Sequence, residues 1–418
     1  MLINDFDNEL NSIHTRALKS SSDYIQGFFD VSYFNSAKIL TAFRNQRVSD
    51  SDFKSGSGYG YNDCGRDKLD SIWAEICGSE SAMFRTQFVS GTHALTAVLF
   101  GILRPGDTLL SITGEPYDTL HKVLGHKDYS PGSLQDWGVN YAEVNSITSS
   151  GLNLEIVTGS IIEHKPKLVL IQRSRGYSLR RSLTIAEIEL LCRTIKAVSN
   201  QTIIFVDNCY GEFIEKREPI EAGADIIAGS LIKNPGGGLA PCGGYIAGRK
   251  DLVELAGFRL TSPGLGVEVG PSLCDNRLLY QGLFIAPHVV GQALQTAIYT
   301  ASFFAQLGYA VYPAVDAVRT DIIQAIELGS AERVIAFCQA LQAFSPVDSY
   351  VKPVAWDMPG YKDQVIMAAG TFVQGASIEL SADAPMRQPY AVYLQGGIVF
   401  EQSVAAIMAA ATAVLATR

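Results

Sequence analysis

The sequence predicts an α/β protein: a mainly parallel sheet covered by helices on both faces, with a smaller α+β domain formed by the C-terminal third. Three observations predict it. Between Phe88 and Gly248, short β-branched apolar runs alternate with longer amphipathic ones. Those short runs are apolar throughout instead of alternating inward and outward, so each belongs to a sheet buried on both faces. After Gln292 the apolar spacing becomes mostly helical, with two strand candidates left.

Taken in order, the first ~50 residues read as helical, with apolar positions at helical spacing in NSAKILTAFRNQRV. SGSGYGYNDCGRD (Ser55–Asp67) is rich in Gly, Ser and Tyr and reads as a loop. LDSIWAEICG (Leu69–Gly78) returns to helical periodicity and stops at a glycine. Strand candidates follow at 107–112, 167–172, 202–207 and 224–229, with helices at 92–103 and 184–198 between them. The last two strand candidates are 364–373 and 390–397. This divides the chain into an N-terminal helical segment (1–55), a large domain (56–290) and a small C-terminal domain (291–418).

Composition narrows the function classes. A chain of 418 residues, 47% hydrophobic, can bury a large core and a second, smaller one. Net charge is −9 and no Lys/Arg-rich run tracks a phosphate backbone, which argues against nucleic acid. The seven cysteines are scattered, with no C-x-x-C pair, so neither a disulfide framework nor a zinc site is expected. No His/Cys/Asp/Glu cluster suggests any other metal, and His93 and His121 read as isolated. The N-terminus carries acidic residues where a signal peptide needs positive charge. Ala-rich Ser403–Thr417 falls short of the ~20 residues that span a bilayer and reads as a buried terminal helix. A soluble, cytoplasmic protein is expected.

Three stretches carry chemistry, and each lies where an open α/β sheet binds ligands, beyond the carboxyl ends of its strands. In VSGTHAL, Ser90, Gly91 and Thr92 open a helix and offer backbone N–H groups and two hydroxyls at its positive end. That is a phosphate cradle or an ordinary N-cap. In IIFVDNCYGEF, Asp207 ends an apolar strand, where a lone buried carboxylate calls for a cationic partner such as a protonated ring nitrogen. In ADIIAGSLIKNPGGGLAPCGGYIAG, Lys233 lies between an apolar strand and glycines that let backbone approach a ligand, and Ser230 stands three residues before it. An apolar, crowded setting lowers a lysine's pKa and makes it a Schiff-base nucleophile. Gly56-x-Gly58-x-Gly60 does not follow a strand, as a nicotinamide fingerprint would.

A phosphate cradle, a strand-end aspartate and a lysine 26 residues later (233 − 207) together resemble fold-type I enzymes that use pyridoxal 5′-phosphate (PLP). SGTHAL, LRPGDTLLSITGEPYDTL, IQRSRGYSLRRSLT, FVDNCYGEF and GSLIKNPGGGLAPCGGYIAGR resemble, more narrowly, the methionine γ-lyase-like or aluminium-resistance family of the cystathionine-metabolising branch. The resemblance runs from about Tyr59 to Gln395. It implies a seven-stranded large-domain sheet and PLP held as a Schiff base on Lys233, which is also the base for the substrate Cα proton. Ser90, Gly91, Thr92 and Ser230 would hold the phosphate, Tyr117 would stack on the pyridine ring, and Asp207 would pair with its nitrogen. Tyr59 and Tyr61 occupy the stretch that crosses to a neighbouring subunit's phosphate, which implies a homodimer or homotetramer with shared active sites. Carbon–sulfur lyases have Tyr-x-Arg there; this chain has Tyr59-Gly60-Tyr61, with arginine only at Arg66.

A substrate carboxylate needs a bidentate arginine. Arg387, Arg173 and Arg175 are the candidates, each of which could instead form ordinary salt bridges. The expected function is PLP-dependent carbon–sulfur cleavage of a sulfur-containing L-amino acid, giving thiol, ammonia and a 2-oxo acid, with β- and γ-elimination both open. An aldolase or aminotransferase-type PLP enzyme is the alternative within the cofactor class. A PLP-binding protein with a non-catalytic role in metal tolerance is the alternative outside it.

Overall fold

The computed structural model describes residues 8–126 and 130–417. It opens with α1 (Asn8–Asn45), followed by α2 (Cys64–Cys77). Asp63 caps α2 by accepting the Arg66 N–H, and Gly78 ends it in the left-handed region at φ 66°. The cap lies inside the segment read as loop, so residues 64–67 are helical instead: one good N-cap outweighs the Gly-rich composition around it.

The large sheet has seven strands, β1 (Ser81–Arg85), β2 (Thr108–Ser111), β3 (Asn140–Glu143), β4 (Leu168–Gln172), β5 (Ile203–Asp207), β6 (Ile226–Ser230) and β7 (Gly244–Gly248). Their order is β1-β7-β6-β5-β4-β2-β3. β3, β2, β4, β5 and β6 are mutually parallel, while β7 is antiparallel to both its neighbours. The four large-domain strands expected from the sequence are β2, β4, β5 and β6. The other three escape periodicity for separate reasons. β1 (SAMFR) has no β-branched residue, β3 (NYAE) is a half-polar edge, and β7 (GYIAG) has glycine at both ends.

Helices α3 (Gly91–Ile102), α4 (Asp118–Leu124), α5 (Leu154–His164), α6 (Ile185–Val198), α7 (Lys250–Leu260) and α8 (Asn276–Gln306) complete this layer. Alternate strand residues serve opposite faces. Leu168, Leu170 and Phe205 pack with Leu95 and Val98 of α3 and Leu252 of α7. Val169, Ile171 and Val206 pack with Ile161 of α5 and Ile188 and Leu191 of α6. Each such side chain contributes about 1.5–3 kcal/mol by leaving water, which is why these strands read as continuous apolar runs.

The second sheet is antiparallel throughout: β8 (Ala310–Tyr312), β9 (Gln324–Glu327), β10 (Val365–Ala368), β11 (Ser381–Pro385) and β12 (Ala391–Gln395), in the order β10-β11-β12-β9-β8. α9 (Ala331–Ala343) and α10 (Phe400–Ala416) cover it, and most of Ala-rich α10 is buried. Two helices tie the layers together. α1 gives Leu10, Ile13 and Ala17 to the small-sheet core and Phe28, Ile39 and Ala42 to the large one. α8 gives Leu283 and Leu294 to the large core and Tyr299, Phe303 and Phe304 to the small. The boundary expected at 290/291 therefore falls within a continuous helix. Among the described residues no helix is long and apolar enough to cross a membrane, and all seven cysteines are free.

Candidate active site

Gln172, Asp207 and Ser230 end β4, β5 and β6 on one edge of the large sheet, with Gln172 and Asp207 in register. Beyond that edge lies a cavity of about 220 Å³ whose wall includes Ser90, Gly91, Thr92, Tyr117, Asp207 and Lys233. Ser90 is the N-cap of α3, its Oγ accepting the His93 N–H at 3.1 Å. Thr92 Oγ1 lies 3.0 Å from Thr119 Oγ1. Gly91 passes so close to β6 that a Cβ there would stand 2.9 Å from Ser230 Cβ. The α3 amides and Ser230 thus form one polar corner, suited to an anionic group.

Asp207 Oδ1 accepts the Cys209 N–H at 3.1 Å. Lys233 Nζ stands over the Tyr210 ring, 3.8 Å from its centroid. Tyr117 donates its backbone N–H to Gln172 Oε1 at 2.6 Å, and its hydroxyl meets that of Tyr361 at 2.7 Å. Tyr117, Gln172, Gly176 and Tyr361 also line a second cavity of about 660 Å³, so they partition the two spaces. From the small sheet, Ser381 and Asp383 reach the first cavity.

A polar corner at a helix N-terminus, an amine, and a buried carboxylate at strand ends make a site for an anionic cofactor and for proton transfer at carbon. The methionine gamma-lyase family model matches this chain over residues 10–415. The chain belongs to the methionine gamma-lyase family. It is a lyase of fold type I. The chain is 45% identical to a Clostridium novyi NT protein described as a carbon-sulfur lyase involved in aluminum resistance, with a TM-score of 0.93 and 99% of each chain covered. It is 49% identical to the Bacillus subtilis protein YnbB, described as uncharacterized, over 91% of this chain and 90% of that protein. CalE6, a methionine gamma lyase from Micromonospora echinospora, shares the fold at 19% identity, with a TM-score of 0.57 and 84% of this chain and 87% of that chain covered.

The electrostatics of this family member differ from the sequence expectation at the lysine. Burial works to lower the Lys233 pKa, but Cys209, Tyr210, Asp207 and Glu212 raise it, and the net shift is upward. The surroundings are acidic, not merely apolar, and that is the reason. Burial raises Asp207, opposed by Lys233 and the Cys209 N–H. The glycines after Lys233 also serve otherwise than expected. A Cβ on Gly237 would collide with the Gly282 carbonyl of α8, and one on Gly282 with the Gly236 carbonyl, so the run accommodates a helix.

Of the three arginines, Arg173 does not reach either cavity. It is fully buried, and its Nη1 donates to Asn208 Oδ1 (2.8 Å) and the Gly211 carbonyl (2.9 Å), its Nη2 to Glu215 Oε1 (3.0 Å). Arg387 borders the second cavity and pairs with Asp363 at 2.8 Å. Arg175 borders the same cavity, buried, with Nε and Nη1 making no hydrogen bond and Asp321 Oδ2 3.9 Å from Nε. Tyr59 and Tyr61 lie outside the cavity, 77% and 59% exposed. Arg66 is not a free donor there either, because its guanidinium is bound to Asp67 and the carbonyls of Gly60 and Gly270. Sequence reasoning missed Tyr210, Tyr361, Ser381 and Asp383. Tyr210 lay within a quoted motif; the others come from segments with no motif.

Proposed function

We propose that this chain is a PLP-dependent carbon–sulfur lyase acting on a sulfur-containing L-amino acid. The observation that carries the reading is the convergence of Lys233, Asp207 and the α3 N-terminus on one cavity at the strand ends. The residues present fit the cofactor. The Gly91–Ser230 approach leaves a corner that a side chain would fill, and Ser90, Thr92 and Ser230 surround it with hydroxyls. Asp207 would keep the ring nitrogen protonated, Tyr117 would cover the ring, and Lys233 would hold the cofactor covalently.

When bound, PLP supplies an electron sink for charge that develops at the substrate Cα. Lys233 removes the Cα proton. Arg175, with donors to spare, is the arginine we assign to the substrate carboxylate. Tyr117 and Tyr361 exclude water between the two cavities.

The deciding experiment combines labelling with turnover. Purified protein should absorb near ~420 nm, and borohydride should fix the label to the peptide containing Lys233. Thiol and 2-oxo acid should appear together from at least one sulfur amino acid. Asp207→Asn should keep cofactor but lose turnover by about 10²–10³-fold, since the loss falls on charge stabilisation. A label on another lysine, or 2-oxo acid without thiol, would overturn the reading.

A further inference from the structure

Lys233, Asp207 and the α3 corner all come from the large sheet. The small sheet places a carboxylate on the same cavity: Asp383 of β11, 6% exposed. Its Oδ2 accepts from Gln395 Nε2 of β12 at 2.9 Å. Two residues earlier, the Ser381 Oγ also borders the cavity, 3% exposed and without a hydrogen-bond partner. A buried polar wall with an unanswered hydroxyl is costly unless a ligand meets it.

We propose that Asp383 is the proton donor to the departing sulfur. This rests on the carbon–sulfur lyase reading above. Carbon–sulfur cleavage sets a demand that the large-sheet residues leave open. Lys233 is occupied at Cα and Asp207 with the ring nitrogen, while the α3 corner takes the phosphate. A carboxylate wall disfavours the substrate's own carboxylate, which Arg175 accepts elsewhere. The remaining need is a proton for a thiolate released into a buried space.

Relative acidity selects the donor. Burial pushes the Tyr117 and Tyr177 hydroxyls and the Cys209 thiol well above their usual range, and Tyr210 to about 12. Burial raises Asp383 to about 6, opposed by the hydrogen bond from Gln395 and by the Lys233 charge. Tyr117, Tyr361 and Tyr210 face it across the cavity, and Cys338 of α9 approaches it from behind. Asp383 thus titrates close to working pH, where general-acid transfer is most effective.

In the step itself the carbon–sulfur bond breaks with both electrons on sulfur. The Asp383 O–H proton passes to that sulfur, leaving a carboxylate and a neutral thiol. The proton Lys233 took from Cα balances the one Asp383 gives, so transfer between them through water resets both.

The test compares two substrates that eliminate at the same carbon in the PLP-loaded protein. S-methyl-L-cysteine needs a proton on its leaving sulfur; β-chloro-L-alanine loses chloride and needs none. Asp383→Asn should lower kcat for the thioether about 10²-fold more than for the chloride, with cofactor absorbance retained and Asp383→Glu partly restoring the thioether rate. Wild-type protein alone gives a second readout: the ratio of thioether to chloride kcat should fall as pH rises above about 6. Equal losses on both substrates, or a wild-type ratio flat in pH, would overturn this role for Asp383 while leaving the lyase reading intact. Wild-type protein that releases 2-oxo acid from neither substrate nor any other sulfur amino acid would overturn the lyase reading and this role together.

Discussion

Tyr210 holds its ring against the amine of Lys233, 3.8 Å from centroid to Nζ, and does so from a left-handed backbone at φ 71°. A tyrosine in that region is uncommon and costs about 1–3 kcal/mol, a strain characteristic of functional sites. The turn that re-aims the chain after β5 thereby sets a π-face under the charge. A desolvated contact of this kind favours the ammonium by up to about 2 kcal/mol.

Removing that ring should make Lys233 react at lower pH. The amine attacks cofactor only when unprotonated, so losing about 1 kcal/mol of ammonium stabilisation shifts the midpoint of covalent loading downward by roughly half a unit to one unit. Tyr210→Leu should show this in absorbance-monitored titrations, and Tyr210→Phe should not. Identical midpoints for wild type and Tyr210→Leu would remove the ring from the lysine's electrostatics.

The corner between α3 and β6 is tight enough to test by crowding. In Gly91→Ala the added Cβ meets Ser230 Cβ at 2.9 Å, which should cost about 1–3 kcal/mol and weaken cofactor retention. Adding Ser230→Gly should recover much of the thermal stability. If both variants melt with wild type, the approach is looser in solution.

Arg175 and Arg173 should separate cleanly. Arg175→Met removes two donors that make no hydrogen bond among the described residues, and a 3.9 Å ion pair to Asp321, whose carboxylate keeps the Ser182 hydroxyl and the Ile323 N–H. KM for amino acid should rise about 10- to 100-fold, with a smaller loss of melting temperature than in Arg173→Met. Arg173→Met strips the cation from Glu215 and Glu218. It should destabilise by about 3–5 kcal/mol without a specific KM effect. Reversed outcomes would exchange the two assignments.

Glu212 predicts a pH dependence of stability. Its Oε1 accepts the Tyr245 hydroxyl at 2.6 Å, and burial raises its pKa from 4.5 to about 8, with Tyr245 opposing the shift. The unfolded chain releases this proton near its ordinary value while the folded protein keeps it. The unfolded state therefore binds fewer protons between about 4.5 and about 8, and stability falls as pH rises through that window. Below the window the penalty is absent. Glu212→Gln keeps the acceptor without the charge, so it should match wild type near the acid end and melt higher near the alkaline end. Parallel melting curves across the range would count against a buried, protonated Glu212.

Tyr59 and Tyr61 are expected to serve a neighbouring subunit in a homodimer or homotetramer. Mixing Lys233→Ala with a Tyr59→Phe, Tyr61→Phe double variant should regenerate up to about a quarter of wild-type activity if sites are shared. No recovery despite proven subunit exchange would leave this loop to its own chain.

By itself, the sequence determined the strand ends and the helix start at the heart of the site. Asp207 ends an apolar run, Ser90 opens a helix, and Lys233 follows the next run, so local pattern reveals all three. Their roles depend on backbone position, and backbone position there follows from short-range periodicity and capping. The roles of Arg173 and the post-lysine glycines were not legible. One depends on a pocket closed by Asn208 and Glu215, the other on a helix more than forty residues away, at Gly282. Only tertiary structure decided that Asp383 and Tyr361 belong to the site. SADAP has no β-branched residue and ends in proline, so β11 carries little strand signal. Its carboxylate shares a cavity with Lys233 only because α1 and α8 run through both cores and hold the two sheets against one cavity. The physical reason is that a docking of layers is written across many distant apolar positions, none of which marks the polar residue it delivers.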